Sequence, residues 1–147
     1  QVHGDQVKVT LQLPATDKSG LHVSGHEGRL SQVLNNLLDN ARSFVPETGG
    51  AIRIVAERKR NFVDIRVEDN GPGIEPSAFE RIFHRFYTDR PGGGDSFGRN
   101  SGLGLSISRQ IVEAHNGTIK AENIMILGED GEPKRAGARF TVRLPAL

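Results

Sequence analysis

A pair of asparagines with helical spacing is the first feature of this sequence that could do chemistry. Asn36 and Asn40 are four residues apart and share one face of a helix, with Gln32 before them and Phe44 after them on the same stripe. The oxygen of a side-chain amide is a hard ligand suited to Mg²⁺, a cation that keeps several waters and bridges phosphates. A solvated polar helix face is the alternative, and the two residues taken alone favour it.

A carboxylate followed by a glycine-rich turn forms the second feature, over residues 69–74. The carboxylate of Asp69 closes a predicted strand, where it could accept a hydrogen bond from the exocyclic amine of adenine. Gly71 and Gly73 would then let the backbone lie against the base. Glycine-rich turns after strands are common, so an ordinary turn is the alternative.

The third feature opens a predicted helix with the residues Ser101, Gly102, Leu103, Gly104 and Leu105. Backbone amides at a helix N-terminus bind phosphate, and glycines let the chain approach it closely. A Walker loop is excluded, because it ends in Gly-Lys-Ser or Gly-Lys-Thr and this motif does not. A dinucleotide fingerprint is also excluded, because it needs a strand immediately before it and a polar loop precedes this motif. A glycine-opened helix without a ligand remains the alternative.

An aromatic stripe at helical spacing lies between the two glycine motifs and contains Phe79, Ile82, Phe83 and Phe86. Core packing is the usual role of such a stripe. Its position would also allow it to brace the polar loop that follows, over residues 88–100.

Hydrophobic periodicity predicts the elements that position these motifs. Alternating apolar residues indicate strands over 7–13, 21–25, 51–58, 62–69, 118–126 and 138–145. Helical spacing indicates helices over 27–44, 76–86 and 103–114. The aperiodic segments 88–100 and 128–137 predict a mobile loop and a polar loop between the last two strands. This order favours one domain over residues 1–147 with an α+β fold, a two-layer sandwich in which helices cover one face of a mixed sheet.

Composition narrows the classes of function. The 147 residues include 19 basic and 18 acidic side chains, and the formal charge of +1 gives no reason to expect a nucleic-acid or membrane-surface partner. The absence of cysteine excludes disulfides, thiolate chemistry and a cysteine zinc site. The absence of an initiator methionine favours a fragment of a longer protein.

Four motifs occur in an order that resembles the GHKL superfamily, which includes gyrase B, histidine kinases and MutL. QVLNNLLDNARSF is similar to its N box, DNGPGI to its first glycine box, FERIFHRFY to its F box and SGLGLSIS to its second glycine box. GARFTVRLP is similar to its closing strand, and the resemblance runs from Ser24 to Pro145. The histidine kinase branch is the closer match. The segments NARSFVPE and SGLGLSISRQIVEAH are similar to ChvG/ExoS-type sensor kinases of alphaproteobacteria.

The resemblance implies an ATP site with Mg²⁺ as its metal. It places Asn40 on Mg²⁺, Asn36 near the phosphates and Asp69 on the adenine amine. Further implied nucleotide contacts are Phe44, Gly71, Gly73, Ile74, Tyr87, Ser101, Gly102, Leu103, Gly104 and Leu105. Asn36 and Arg85 are the implied catalytic residues, and residues 88–100 are the implied ATP lid.

Two positions depart from the family pattern, because Ser43 and Thr88 stand where the family often has cationic phosphate contacts. Arg90 or Arg99 could reach the phosphates from the lid instead. The departures keep open a non-catalytic, nucleotide-sensing module as one alternative. A GHKL ATPase or a serine kinase of the anti-sigma type is another.

The residue at position 36 predicts phosphoryl transfer rather than hydrolysis. The hydrolytic members of the superfamily carry a glutamate there to activate water, and the neutral amide of Asn36 cannot take that proton. The resemblance implies transfer to a histidine on a separate phosphoacceptor domain. His26 comes nearest to the acceptor motif, but Gly25, Gly28 and the missing proline argue against it. All five histidines are expected to be ordinary surface or packing residues.

The resemblance also implies the cellular setting. The chain would be a cytoplasmic domain of an inner-membrane sensor kinase that signals to a response regulator. The fragment is expected to be monomeric, whereas the parent kinase would be a homodimer through its helical domain.

Overall fold

A five-stranded mixed sheet organises the chain in the computed structural model, which describes residues 7–12, 22–84 and 104–147. The strands are β1 (Val7–Gln12), β2 (Gly50–Lys59), β3 (Phe62–Asp69), β4 (Thr118–Leu127) and β5 (Pro133–Pro145). Their order in the sheet is β1-β2-β3-β5-β4, with β1 parallel to β2 and the other neighbours antiparallel. The helices are α1 (Glu27–Phe44) and α2 (Gly104–Ala114). Neither of these two helices is long and apolar enough to cross a membrane.

The core lies between the helices and one face of the sheet. Helix α1 buries Val33, Leu37 and Ala41, which recur at helical spacing, and α2 buries Ile111 and Val112. They pack against a sheet layer formed by Ile52, Val67, Ile119, Phe140, Val142 and Leu144. The predicted α+β fold is confirmed.

The opposite face of the sheet carries ion pairs across its central strands. Glu68 lies between Arg53, at 2.8 Å, and Arg139, at 2.7 Å. Asp64 accepts two hydrogen bonds from Arg143, at 2.8 and 2.9 Å. Because residues alternate between the faces of a strand, these charged positions of β3 point away from the helices. In the described residues the helices therefore cover one face only, as predicted.

Asp64 provides a test of this ion-paired face. The hydrogen bonds from Arg143 lower the pKa of the Asp64 carboxyl below its usual value. A lowered folded-state pKa contributes stability that is complete above the unfolded-state pKa and is lost as the pH falls through the folded-state pKa. We expect Asp64→Asn to lower the Tm by about 3–6 °C at neutral pH. The difference in Tm between the unmodified chain and Asp64→Asn should shrink below about pH 4. Thermal unfolding followed by circular dichroism measures it at each pH, and a difference that does not change with pH would contradict a stabilising role for the ionised Asp64.

Residues 76–86 were predicted as one helix, and this prediction is wrong over residues 76–84, which the structure describes. The structure has two single 3₁₀ turns, Pro76–Ala78 and Arg81–Phe83, separated by Phe79 and Glu80. Nucleating an α-helix in so short a segment is costly, and two tight turns already bury Ala78, Ile82 and Phe83. Phe83 packs edge-on against Phe140, with ring centroids 6.1 Å apart, so the core interpretation of the aromatic stripe is confirmed there. Phe86 lies outside the described residues.

Two further boundaries differ from the predictions. Residues 128–137 are not all loop, because β5 begins at Pro133 and pairs with β4 back to Leu127. This ribbon is polar because much of it faces solvent, so its composition resembles that of a loop. The strand predicted over 21–25 is reduced to a single bridge between Val23 and Ala146.

Candidate nucleotide site

The amide of Asn36 joins α1 to the first turn of α2. Its Nδ2 donates to the carbonyl oxygen of Gly104 and to Oγ of Ser108, both at 3.2 Å. Ser108 is completely buried, so the contact lies inside the helix layer. The predicted asparagine face and the start of the predicted phosphate-binding helix are therefore in direct contact.

Asn40 lies one turn further along α1 and is buried, with 8% of its surface exposed. A buried position contradicts the alternative of a solvated polar face at this residue. Ser43 donates from its hydroxyl to the backbone oxygen of Asn40 at 2.7 Å. The hydroxyl at position 43 is thus held by the helix backbone, where the family often has a cationic side chain.

Asp69 ends β3 on the side of the sheet that the helices cover. It lies in a row of cross-strand partners, with Ile52 of β2 on one side and Ala138 of β5 on the other. Its Oδ1 accepts from the backbone N–H of Gly71 at 2.9 Å and from that of Ala138 at 3.4 Å. Both bonds end on Oδ1, and neither uses Oδ2.

Burial is the main influence on the pKa of this carboxyl. Only 6% of the surface of Asp69 is exposed. Burial raises the pKa of the Asp69 carboxyl above its usual value, although the N–H groups of Gly71 and Ala138 oppose the shift. A buried acceptor that avoids competition from water makes a strong hydrogen bond to an uncharged donor.

The glycines after Asp69 allow close approaches that other residues would prevent. A Cβ on Gly71 would lie 2.8 Å from the backbone oxygen of Phe44, the last residue of α1. Gly73 has a positive φ of 85°, and a Cβ there would lie 2.8 Å from Oδ1 of Asn123. The loop that follows Asp69 therefore lies directly against the C-terminal end of α1.

The structure brings most of the described site residues together. Asn36 contacts Gly104, and the segment that contains Asp69, Gly71, Gly73 and Ile74 contacts Phe44 and β4. Leu105 is half-buried against the core. The remaining predicted site residues lie outside the described residues, as does the predicted lid over 88–100: Arg85, Tyr87, Arg90, Arg99, Ser101, Gly102 and Leu103.

Two polar residues at this site were missed from the sequence. Ser108 accepts a hydrogen bond from the amide of Asn36, and Asn123 accepts one from the backbone N–H of Ile74. Alternate residues of a strand share one face, so Asn123 lies on the core-facing side of β4 with Ile119 and Ala121. This alternation in the sequence could have identified Asn123 as an inward-facing polar residue.

Comparison with known proteins decides the family. The sequence profile of the histidine kinase-, DNA gyrase B- and HSP90-like ATPases matches residues 25–147. The chain belongs to this ATPase family. Within the family, the sensor protein ChvG of Rhizobium meliloti is 52% identical over 150 residues, which cover 99% of this chain and 25% of ChvG. The chain thus spans about a quarter of the length of this relative.

Solved structures agree with the branch that the sequence predicted. The catalytic domain of histidine kinase ThkA has a TM-score of 0.73 and 30% identity, with 95% of this chain and 80% of that chain covered. ThkA has also been solved in complex with the response regulator TrrA. Full-length ShkA in complex with AMPPNP has a TM-score of 0.71 and 27% identity, with 98% of this chain and 26% of that chain covered. This member of the ATPase family is a histidine kinase catalytic domain.

His26 and His115 make structural contacts in this domain. Nδ1 of His26 accepts from the backbone N–H of Arg29 at 3.2 Å and caps α1. The backbone N–H of His26 donates to Nε2 of His115 at 3.0 Å. Both histidines form hydrogen bonds with backbone groups, as expected of ordinary packing residues.

Proposed function

We propose that this domain binds ATP·Mg²⁺ and donates the γ-phosphate to a histidine on a separate phosphoacceptor domain of the same kinase. One observation carries the proposal: the buried carboxylate of Asp69 and its glycine loop lie against the end of the helix whose Asn36 reaches the start of α2. The proposed acceptor for the base and the proposed phosphate-binding helix end both contact α1, one at its last residue and the other at Asn36.

Adenine recognition would depend on Oδ2 of Asp69. Oδ1 is occupied by two backbone N–H groups, so Oδ2 would accept from the exocyclic amine. Gly71 and Gly73 would keep the backbone flat beside the base. A guanine carbonyl in the same place would face the carboxylate and be repelled, so the proposed site selects adenine.

Phosphate binding would involve the N-terminus of α2, an 11-residue helix. Its first amides and those of the preceding residues Ser101, Gly102 and Leu103 would hold phosphate oxygens. Asn36 would keep α2 at a constant distance from α1. Arg85, Tyr87, Arg90 and Arg99 stay proposed contacts from the segment that contains the lid.

Asn40 would hold Mg²⁺ through its side-chain oxygen. The described residues contain no group of three or more acidic or histidine side chains suited to a metal. One amide oxygen fits a cation that takes its remaining ligands from phosphates and waters. When bound, Mg²⁺ would neutralise charge on the transferring phosphoryl group.

Mutation of Asn40 tests the metal role. We expect Asn40→Ala to weaken ATP binding about tenfold in the presence of Mg²⁺ and to change it little in EDTA, because only the metal-dependent part of the affinity is lost. Asn40→Asp keeps an oxygen ligand and should retain Mg²⁺-dependent binding. Calorimetric titration of each variant with and without Mg²⁺ gives the result, and normal ATP·Mg²⁺ binding by Asn40→Ala would exclude the role.

Transfer rather than hydrolysis is proposed because Asn36 cannot act as a general base. A neutral amide takes no proton from water, and its Nδ2 is already committed to Gly104 and Ser108. Phosphoryl transfer needs positioning and charge stabilisation more than covalent chemistry by the protein. A histidine nitrogen on the phosphoacceptor domain would therefore be the nucleophile.

The proposed setting is a two-component system. The chain would be the cytoplasmic part of an inner-membrane sensor kinase, on the side of the membrane where ATP is available. Support comes from ChvG, which is named a sensor protein, and from ThkA, which binds a response regulator. We propose a response regulator as the downstream partner, a homodimeric parent kinase and no nucleic-acid partner.

A two-step assay tests the function as a whole. ATP-analogue binding to this chain is measured first, and a separately made phosphoacceptor domain is then added with ATP·Mg²⁺. The expected product is acid-labile phosphohistidine on the added domain, with little free phosphate released. Rapid ATP turnover without the acceptor would favour the ATPase alternative, and binding without transfer would favour a nucleotide-sensing module.

A further inference from the structure

Asn123 lies in the same cross-strand row as the carboxylate that would recognise adenine. The row runs from Ile52 in β2 through Asp69 in β3 and Ala138 in β5 to Asn123 in β4. Cross-strand partners share one face of a sheet, so Asn123 points to the side that carries the helices. The small side chain of Ala138 separates the two polar residues.

The amide of Asn123 pairs with both backbone groups of Ile74. Oδ1 accepts from the N–H of Ile74, and Nδ2 donates to its C=O, each at 2.7 Å. This two-point contact resembles the pairing of a neighbouring strand, although residues 72–75 belong to no strand. It fixes both the position and the orientation of the peptide groups at Ile74.

The glycine loop is thereby held at both ends. At its start, Oδ1 of Asp69 accepts from Gly71; at its end, Asn123 holds Ile74. Gly73 fits between the two anchors only because it has no Cβ, which would lie 2.8 Å from Oδ1 of Asn123.

The ribbon of β4 and β5 closes the outer side of the same loop. A Cβ on Gly73 would also lie 2.9 Å from Cδ of Arg135, so the arginine stem packs beside the loop. The guanidinium of Arg135 forms an ion pair with Glu75 at 3.7 Å. This second contact is exposed and weak, so the two short bonds of Asn123 are the main constraint.

We propose that Asn123 is a positioning residue for base recognition, one that sets the distance between the glycine loop and the Asp69 carboxylate. The inference rests on the proposed ATP-binding function and extends it to a residue that would not touch the nucleotide. Only an amide supplies one donor and one acceptor at this length. An aspartate in its place would direct a negative oxygen at the carbonyl of Ile74, and an alanine would leave both backbone groups unpaired.

The test compares nucleotide selectivity with stability. The dissociation constants of AMPPNP and GMPPNP with Mg²⁺ are measured for the unmodified chain, Asn123→Asp and Asn123→Ala. We expect AMPPNP binding to weaken about tenfold or more in both variants, with a smaller preference for AMPPNP over GMPPNP. Hydrogen exchange at the Ile74 amide should accelerate.

Glu122→Gln is the matched control. Glu122 is the neighbouring residue of β4, and it pairs with Arg139 on the opposite face of the sheet at 3.3 Å. The control alters a side chain of similar size without contacting the loop, so its AMPPNP affinity should change by less than about twofold.

Each outcome decides between the proposals. If the Asn123 variants melt earlier but bind AMPPNP normally well below their Tm, Asn123 is only a structural tie and the positioning role is wrong. If the unmodified chain binds no AMPPNP, the proposed function itself fails and the positioning role fails with it. Should both variants fail to fold, Asn123→Ser, whose shorter side chain carries a single hydroxyl, is judged by the same selectivity measurement.

Discussion

Asp69→Asn is expected to weaken ATP binding about 100-fold, because the buried acceptor is exchanged for a group that can present its own donor to the adenine amine. The side chain keeps its size, and Oδ1 can still accept from Gly71 and Ala138. The loss should therefore come from recognition rather than from unfolding. Isothermal titration of the variant with AMPPNP measures the effect.

Asp64→Asn is the matched control for this change. Asp64 lies on the same strand, is also buried, and points to the opposite face of the sheet, where Arg143 holds it. The same exchange of acid for amide should lower its thermal stability and leave AMPPNP affinity unchanged at temperatures well below its Tm. Equal affinities for the unmodified chain and Asp69→Asn would remove Asp69 from the proposed site.

The charge of Asp69 predicts a pH dependence as well. In the proposed site the base would bind the ionised carboxyl, so affinity should be complete above the pKa of Asp69 and decline as the pH falls through it. Burial raises that pKa, so the decline should begin at a higher pH than for an ordinary aspartate. Adenosine is the suitable probe, since it lacks phosphates that titrate in the same range. Asp69→Asn should abolish this dependence.

Gly137→Ala is expected to destabilise the domain by about 3 kcal/mol or more, as overpacking against rigid backbone does. A Cβ on Gly137 would lie 1.8 Å from the backbone oxygen of Asp69 and 2.9 Å from its carbonyl carbon. Neither atom can move without displacing the end of β3, and Asp69 would move with it. Chemical denaturation measures the loss of stability, and AMPPNP titration under folding conditions measures the loss of binding.

Gly131→Ala provides the control within the same hairpin. Gly131 has a positive φ of 81°, and a Cβ there would meet nothing within 4 Å. The substitution carries backbone strain alone, about 1 kcal/mol, and should leave AMPPNP affinity unchanged. If Gly131→Ala were as destabilising as Gly137→Ala, close packing against Asp69 would not be the cause.

Local patterns were sufficient where an element is long and its period is clear. Helix α1 has the bounds that its apolar spacing predicted, because five turns of amphipathic sequence outweigh the asparagines within it. The β2–β3 hairpin likewise follows from two alternating segments with a short polar connection. Patterns were insufficient over 76–84, where apolar residues at helical spacing accompany two 3₁₀ turns rather than an α-helix.

The sequence by itself determined which residue types are available for chemistry: a strand-ending Asp69, the glycines after it and the amides of Asn36 and Asn40. These motifs are local, and each keeps its spacing whatever the fold around it. Only the tertiary structure decided three hydrogen bonds: from the N–H of Ala138 to Asp69, from the amide of Asn36 to Ser108, and from the N–H of Ile74 to Asn123. Those pairs are 69, 72 and 49 residues apart in the chain. Contacts of that length arise from strand order and helix packing, which periodicity within one element does not encode.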